Sequence, residues 1–312
     1  MPHVTFIHGL ANKPPADILY PVWLRALADG GGLHLGNEGV TSSMVYWADV
    51  LYESPDTDPA NYETSLENRA EQVDGGGAAS LPVAATPEEA KFIEGLRREL
   101  TRVSAEAVEA EQAPGPDDPN AVGLERIPLP WFIKKRIMAA WLRDAHHYYF
   151  NKTHAPRPGT SYQVQVEIRR RFVDALSAAP AGNGPHIVVS HSMGTMIAYD
   201  CLKRVPGCPA IDGLITIGSP LGLDEVQDCN KPEWTRDDGF PGGKVRGRWV
   251  NVFDHLDVVC GADPHLANDF RRAGAPVIED VKVTNDGAWR HSIAKYLRQG
   301  AVRDVLRTML QL

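Results

Sequence analysis

The pattern of apolar and polar positions is most regular after residue 160, where short apolar runs alternate with longer amphipathic segments. The apolar runs predict strands at His186–Ser190, Leu214–Ile217, Trp249–Phe253 and Val277–Val283. The amphipathic segments predict helices at Thr160–Ala178, Met193–Arg204 and Ser292–Leu312. Because strands that alternate with helices form parallel sheets, we expect an α/β fold with a mostly parallel central sheet and helices on both faces.

The beginning of the chain extends this pattern. Val4–Ile7 is a short β-prone run, and Ser43–Trp47 is predicted to be a second, buried strand. Between them, Ile18–Leu27 has the spacing of a helix and is followed by three consecutive glycines. We therefore assign residues 1–53 and 160–312 to one core domain.

The segment between these two parts, residues 54–159, differs in composition. Pro55–Glu125 contains sixteen acidic and five basic residues, a net charge of −11, in a chain whose total net charge is −8. A capping box at Thr86 begins one strong helix. A basic, aromatic-rich helix is predicted at Trp131–Phe150, before a return loop at His154–Gly159. From its position, this insertion is expected to form a mainly helical cap or lid.

Charge and composition argue against several classes of protein. The acidic balance, with a pI near 5.8, disfavours nucleic-acid binding, which needs a basic surface. No run of about 18 apolar residues is present for a membrane span, and the first residues lack the basic start and long apolar stretch of a signal peptide. The four cysteines have no CxxC spacing, which favours reduced thiols in a cytoplasmic protein.

Candidate chemistry centres on Ser192, which lies where a β-prone run meets a helix within His186–Tyr199. A tight turn at this junction presents the serine hydroxyl above the sheet, as in a nucleophile elbow. Small residues are needed two positions before and two after the serine, because strand and helix pass closely there. Gly194 meets this requirement, whereas Ser190 stands where glycine is usual.

A serine hydroxyl becomes a good nucleophile only beside a base, and the base is oriented by a carboxylate. With an elbow the chain order is serine, acid, histidine, and His291 follows the last predicted strand. Asp257, in the loop after Trp249–Phe253, is the favoured acid, and Asp254 at the end of that strand is the alternative. Both loops follow the carboxyl ends of strands, where open α/β sheets bind ligands.

Acyl transfer also needs donors for the negative charge that develops on the carbonyl oxygen. The N–H of Met193, after the nucleophile, is one candidate, and the N–H of Leu10, in the turn that Gly9 allows, is the other. With these features the sequence resembles the α/β-hydrolase superfamily, specifically its lipase- and esterase-like serine hydrolases. The resemblance covers about residues 1–53 and 160–312. The first two strands usual in that family are expected to be absent, because His8-Gly9 lies so close to the start, and the insertion is assigned to no particular family.

The resemblance implies a serine esterase that cleaves carboxylic esters through an acyl-serine intermediate, with no cofactor and no metal. Ser192 would be the nucleophile, Asp257 the orienting acid and His291 the base, while Leu10 and Met193 would form the oxyanion hole. Cleavage of thioesters or amides, or acyl transfer to an acceptor other than water, would use the same residues. A non-catalytic binding or signalling protein that keeps the fold is the rival hypothesis.

Three other patterns have more ordinary interpretations. His191 is expected to pack beside the elbow, and the acids and histidines between Asp254 and His265 match no common metal site. The Trp131–Phe150 helix could touch a membrane surface, but burial over the active site, where it would line an acyl pocket, is favoured. Its apolar side chains are Trp131, Phe132, Ile137, Met138, Trp141 and Tyr149.

Overall fold

The computed structural model describes residues 1–57, 81–112, 131–180, 182–286 and 289–312. The strands in these ranges are β1 (His3–Ile7), β2 (Thr41–Val45), β3 (Thr153–Arg157), β4 (Thr160–Gln163), β5 (His186–His191), β6 (Gly213–Ile217), β7 (Trp249–Phe253) and β8 (Ile278–Lys282). The α-helices are α1 (Ala16–Ala28), α2 (Pro87–Gln112), α3 (Trp131–Tyr149), α4 (Val164–Ser177), α5 (Met193–Arg204), α6 (Asp224–Asp228), α7 (Ile293–Arg298) and α8 (Gly300–Leu310).

Six of these strands form one sheet in the order β2-β1-β5-β6-β7-β8, and every neighbouring pair is parallel. Helices cover both faces, so the predicted α/β fold with a parallel central sheet is confirmed. Successive residues of β5 enter different cores: Val188 joins one apolar cluster, while Ile187 and Val189 join the other. This alternation is what a strand buried on both faces must have, because its side chains point to opposite sides in turn.

The two cores are built from different helices. One face of the sheet packs against α1, α7 and α8, through residues such as Trp23, Tyr296 and Leu306. The other face packs against α4 and α5 and also against α2 and α3 of the insertion, through residues such as Phe92 and Trp141. The described part of the insertion therefore shares a hydrophobic core with the sheet.

Two sequence predictions were wrong in detail. The strand predicted at Ser43–Trp47 is β2, which ends at Val45 and is only half buried because it lies at the edge of the sheet. The single last helix is two helices, since Gln299 has extended backbone angles (φ −65°, ψ 131°) and separates α7 from α8.

The predicted return loop at His154–Gly159 is also different, because it belongs to an antiparallel hairpin of β3 and β4. Arg157 pairs with Thr160 across Pro158-Gly159, and Gly159 has a φ of +76°. Proline followed by a glycine with positive φ is the signature of a type II turn. The hairpin occupies residues that the sequence assigned to a loop and to the first turn of α4, which begins at Val164.

The helix start predicted at Thr86 is present, but its capping acid has further partners. The Thr86 hydroxyl accepts a hydrogen bond from the N–H of Glu89 (3.2 Å), as in a capping box. The Glu89 carboxylate bonds the N–H of Ala85 (2.9 Å), and it also meets His146 (2.9 Å) and Lys152 (3.0 Å). These hydrogen bonds lower the pKa of Glu89 to about 2, and the bond from the Ala85 N–H contributes most. Through His146 and Lys152, this capping acid also ties α2 to the end of α3.

Candidate active site

Ser192 lies at the junction of β5 and α5 in a backbone conformation that non-glycine residues rarely adopt, with φ 54° and ψ −129°. Such conformations persist only where the surroundings enforce them. Here the N–H of Ser192 donates to the carbonyl of Ile217 (2.9 Å), and its carbonyl accepts from the N–H (2.9 Å) and the hydroxyl (2.7 Å) of Thr195. The strand-to-helix turn predicted around Ser192 is therefore held on both sides.

Close approach at this turn explains its small residues. A β-carbon added to Gly194 would lie 2.6 Å from the carbonyl oxygen of His8, and one added to Gly9 would lie 2.7 Å from the β-carbon of Ser192. The end of β1 thus passes directly against the elbow. Ser190, which stands where glycine is usual, fits because its hydroxyl donates to the carbonyl of Ile215 (3.0 Å) on the neighbouring strand.

The structure brings Asp257 and His291 together. Nδ1 of His291 lies 2.8 Å from Oδ2 of Asp257, and both side chains are buried. The Asp257 carboxylate also accepts from the Tyr296 hydroxyl (2.7 Å) and the Val259 N–H (2.9 Å). Burial raises the pKa of Asp257, but the His291 ring and these donors outweigh it and leave the pKa below its ordinary value.

Asp254, the alternative acid, faces other partners. Its carboxylate accepts from the N–H groups of Leu256 (2.9 Å) and Asn285 (2.7 Å) and from the Arg290 guanidinium (3.2 Å). These bonds tie the loop after β7 to the loop that carries His291. Asp254 therefore holds the two loops together, while Asp257 contacts the histidine.

No catalytic role was assigned from the sequence to three residues of this centre, and of these only His191 was expected to pack beside the elbow. His191 places Nε2 at 2.9 Å from the carbonyl oxygen of His291, and the two rings lie 4.6 Å apart. Gly218 has a φ of +55°, and a β-carbon there would lie 2.9 Å from Oδ2 of Asp257. A glycine directly after a strand's carboxyl end could have indicated this close approach, whereas Tyr296 lies in an ordinary helical pattern that gives no signal.

Two side-chain atoms of the candidate residues have no hydrogen-bond partner within the described part of the chain: Oγ of Ser192 and Nε2 of His291. Both atoms are buried, so each keeps its hydrogen-bonding capacity for another partner. Asp257 accepts from the other ring nitrogen, so Nδ1 of His291 carries a proton, and in the neutral ring Nε2 then keeps its lone pair. This is the state in which a histidine can take a proton from a serine.

The two candidate oxyanion donors border the same turn. Met193 is the first residue of α5, and Leu10 follows Gly9, whose α-carbon lies against Ser192. His8 fixes this loop: its Nδ1 donates to the carbonyl of Gly9 (2.8 Å), and its Nε2 accepts from the N–H of Trp47 (3.0 Å). Burial lowers the pKa of His8 to about 3, so the ring is neutral and keeps both bonds.

The insertion reaches the same region. Trp141 of α3 is fully buried in the apolar cluster that contains Leu10 and Met193, and Asp144 of α3 accepts from the N–H of Ala11 (2.9 Å). The side chains of four further residues expected to line the acyl pocket lie outside those that the structure describes: Trp131, Phe132, Ile137 and Met138. The placement of the insertion over Ser192 therefore stays a prediction.

Three further observations concern possible metal ligands, membrane-spanning helices and cysteines in the described ranges. Within them, no group of three or more histidine, cysteine, aspartate or glutamate side chains could hold a metal ion. None of their helices has the length and apolar character needed to cross a membrane. The four cysteines, Cys201, Cys208, Cys229 and Cys260, are free thiols.

Comparison with models of known protein families gives no match for this chain, and comparison with curated proteins gives none either.

Proposed function

We propose that this protein is a serine hydrolase that cleaves carboxylic esters through an acyl-serine intermediate. The proposal rests above all on one arrangement. Ser192 stands in an enforced positive-φ turn, and Nε2 of His291, whose Nδ1 meets Asp257, has no partner among the described residues. The His291 ring lies 4.6 Å from that of His191, the residue before Ser192. The order of these residues along the chain, serine then acid then histidine, is the order of lipase- and esterase-like α/β-hydrolases.

In this mechanism Ser192 attacks the carbonyl carbon of the ester while Nε2 of His291 takes the hydroxyl proton. The imidazolium that forms is stabilised by Asp257, whose lowered pKa keeps it ionised at neutral pH. The N–H groups of Leu10 and Met193 stabilise the oxyanion of the tetrahedral intermediate. His291 then protonates the leaving alcohol, and a water molecule activated by the same nitrogen releases the acid.

The site is closed to solvent in this conformation, since Ser192 is 0% exposed and His291 is 4% exposed. A dry site strengthens the contacts to the oxyanion, and substrate access requires a neighbouring segment to move. The free thiols further support our expectation that the protein works in the cytoplasm.

A fluorophosphonate probe tests the proposal, because it reacts rapidly only with an activated serine. We expect labelling of the wild type at Ser192, no labelling of Ser192→Ala, and normal labelling of Ser190→Ala. Ser190 is a matched control: it is a buried serine on the same strand, whose hydroxyl already donates to a backbone carbonyl. An unlabelled wild type would favour the non-catalytic binding hypothesis. If the wild type is labelled, its hydrolysis rates on matched oxyester, thioester and amide substrates show which of these bonds it cleaves fastest.

Trp141 tests the contribution of the insertion to substrate choice. Because Trp141 shares its apolar cluster with Leu10 and Met193, we expect Trp141→Ala to change the preference among p-nitrophenyl esters of increasing chain length. The rate ratio of long to short esters is the measurement, since a ratio does not depend on the fraction of folded enzyme. An unchanged ratio would separate this helix from the acyl pocket.

A further inference from the structure

Asp144 is a buried carboxylate of α3 that lies outside the serine, histidine and acid described above. Its Oδ2 accepts from the N–H of Ala11 (2.9 Å) and the hydroxyl of Tyr52 (2.9 Å). Its Oδ1 accepts from the Arg143 guanidinium through Nε (3.1 Å) and Nη2 (2.8 Å). A residue of the insertion therefore holds the loop that follows β1.

The held residue is the one directly after the oxyanion donor Leu10. Ala11 has a φ of +68°, a left-handed conformation that a non-glycine residue keeps only when its surroundings enforce it. Among the described residues, Asp144 is the only side chain that accepts a hydrogen bond from the Ala11 N–H. This bond helps to enforce the left-handed conformation. The chain therefore uses the insertion to stabilise an unfavourable turn beside the elbow.

The two peptide planes on either side of Leu10 are each held by a buried side chain. His8 bonds the carbonyl of Gly9 (2.8 Å), and Asp144 bonds the N–H of Ala11. A trans peptide is planar, so its N–H points opposite to its carbonyl. Holding the Gly9 carbonyl thus directs the N–H of Leu10 away from His8, and holding the Ala11 N–H fixes the next plane.

We infer that Asp144 is a positioning residue for the oxyanion hole, so that the insertion takes part in catalysis by orienting the N–H of Leu10. The inference rests on the proposed function, because an oxyanion hole has a role only in an acyl-transfer reaction.

The charges around Asp144 suit this role. A lone carboxylate near a developing oxyanion would oppose it, but Arg143 neutralises Asp144 through two hydrogen bonds. The guanidinium also lies over the Tyr52 ring, 4.5 Å from its centre. Burial lowers the pKa of Arg143, but Asp144 beside it raises that pKa more, so the guanidinium stays charged.

The chain offers a matched control in Asp200 of α5. Like Asp144, it is a fully buried carboxylate that accepts from a tyrosine hydroxyl and a guanidinium, those of Tyr148 (2.6 Å) and Arg169 (2.6 and 2.7 Å), and it also accepts from Arg204 (3.1 Å). Unlike Asp144, it makes no hydrogen bond to residues 8–11. Removal of either carboxylate should destabilise the fold to a similar degree, while only Asp144 should affect the loop.

The first measurement is amide hydrogen exchange in the peptide that covers residues 8–13. We expect exchange to be about tenfold faster in Asp144→Ala than in the wild type, and unchanged in Asp200→Ala. This measurement does not depend on catalysis, so it reports the hold on the loop even if no ester is cleaved.

The second measurement is kcat per active site, with sites counted by complete fluorophosphonate labelling. We expect Asp144→Ala to lower kcat roughly 10- to 100-fold with KM nearly unchanged, and Asp144→Asn, which keeps an oxygen for Ala11, to lower it less. Binding of a trifluoromethyl ketone, which forms an oxyanion on Ser192, should weaken in parallel with kcat. Asp200→Ala should keep the wild-type values per active site.

Each outcome is decisive. Unchanged exchange in Asp144→Ala would overturn the inference, as would faster exchange with an unchanged kcat, or an equal loss in Asp200→Ala. A wild type that neither reacts with the probe nor cleaves esters would overturn the proposed function and this inference with it. That failure is distinguishable, since it appears before any variant is compared.

Discussion

The two ends of the central sheet carry similar side chains with different hydrogen bonding. At the amino end, His3 bonds Thr41 (2.8 Å) and Ser43 (3.0 Å), while His186 bonds Thr5 (2.8 Å). At the carboxyl end, Ser192 and His291 are also buried, yet Oγ and Nε2 stay unbonded within the described part of the chain. Histidines and hydroxyls that bond one another stabilise a fold, whereas these two unbonded atoms are available for the reaction that we propose.

The largest expected difference between the two ends of the sheet comes from removing one hydroxyl group at each end. Ser192→Ala should lower ester hydrolysis by roughly 10³-fold or more with little change in stability, because its Oγ has no bond to lose. Ser43→Ala should leave kcat unchanged and cost about 1 kcal/mol of stability, because its hydroxyl bonds His3. Ester kinetics and urea unfolding of both variants measure the two effects. The comparison fails if Ser192→Ala stays active or if the two variants behave alike.

A smaller difference is expected between the two acids of the loop after β7. Asp257→Asn should lower kcat by on the order of 10³-fold, because an amide in place of the carboxylate favours the wrong tautomer of His291. Asp254→Asn should lower it less than about tenfold, since Asp254 acts on the loops through Asn285 and Arg290. Steady-state kinetics of the purified variants give the ratio. A larger loss in Asp254→Asn would make it the catalytic acid.

A substitution at Gly218 would distort the candidate site without removing any of its functional groups. Gly218→Ala should lower kcat roughly 10- to 100-fold, because its β-carbon would displace Asp257 and His291. Gly39→Ala is the matched control: Gly39 also has a positive φ (+68°), but a β-carbon there meets nothing within 4 Å. Both variants should unfold at lower temperature, and only Gly218→Ala should lose activity. Equal kcat values in the two variants would contradict the close packing at Gly218.

The smallest expected effect is the pH dependence of stability at the amino end. Burial lowers the pKa of His186 to about 4, below the ordinary 6.5. The unfolded chain therefore binds more protons, and stability that is complete above pH 6.5 is lost as the pH falls toward 4. His186→Gln should reduce this loss without changing kcat at pH 7, which urea unfolding at pH 5 and pH 7 measures. An identical pH dependence in the variant would show that other groups, such as His8, carry the effect.

The fold was predictable from sequence where the signals are local. The bounds of β7 and α5 agree with the prediction, because a strand buried on both faces forms a short apolar run, and a helix that directly follows such a strand starts at a recognisable junction. The hairpin of β3 and β4 was missed because Pro158-Gly159 was interpreted as a loop, although the same pair also forms a two-residue hairpin turn. The break at Gln299 has no strong local signal.

The candidate site likewise contains residues that the sequence indicates and residues that it does not. Ser192, Asp257 and His291 could be proposed because a strand-to-helix junction and two loops after strands are visible in the sequence. Asp144 could not, since its partner Ala11 is 133 residues away and the bond goes to a backbone N–H that any residue would offer. Contacts of this kind depend on how the insertion packs, which the periodicity of its helices does not reveal.

The tie between Tyr296 and the acid loop has a consequence for synthesis of the protein. The Tyr296 hydroxyl accepts from the N–H of Asp254 (3.0 Å) and donates to Asp257 (2.7 Å), and His191 bonds the carbonyl of His291, 100 residues later. Because chains fold from the amino end as they leave the ribosome, the serine elbow emerges well before its base. A nascent chain that stops short of His291 lacks the base that we propose, so on our proposal Ser192 gains its activity only when residues 291–296 have been made.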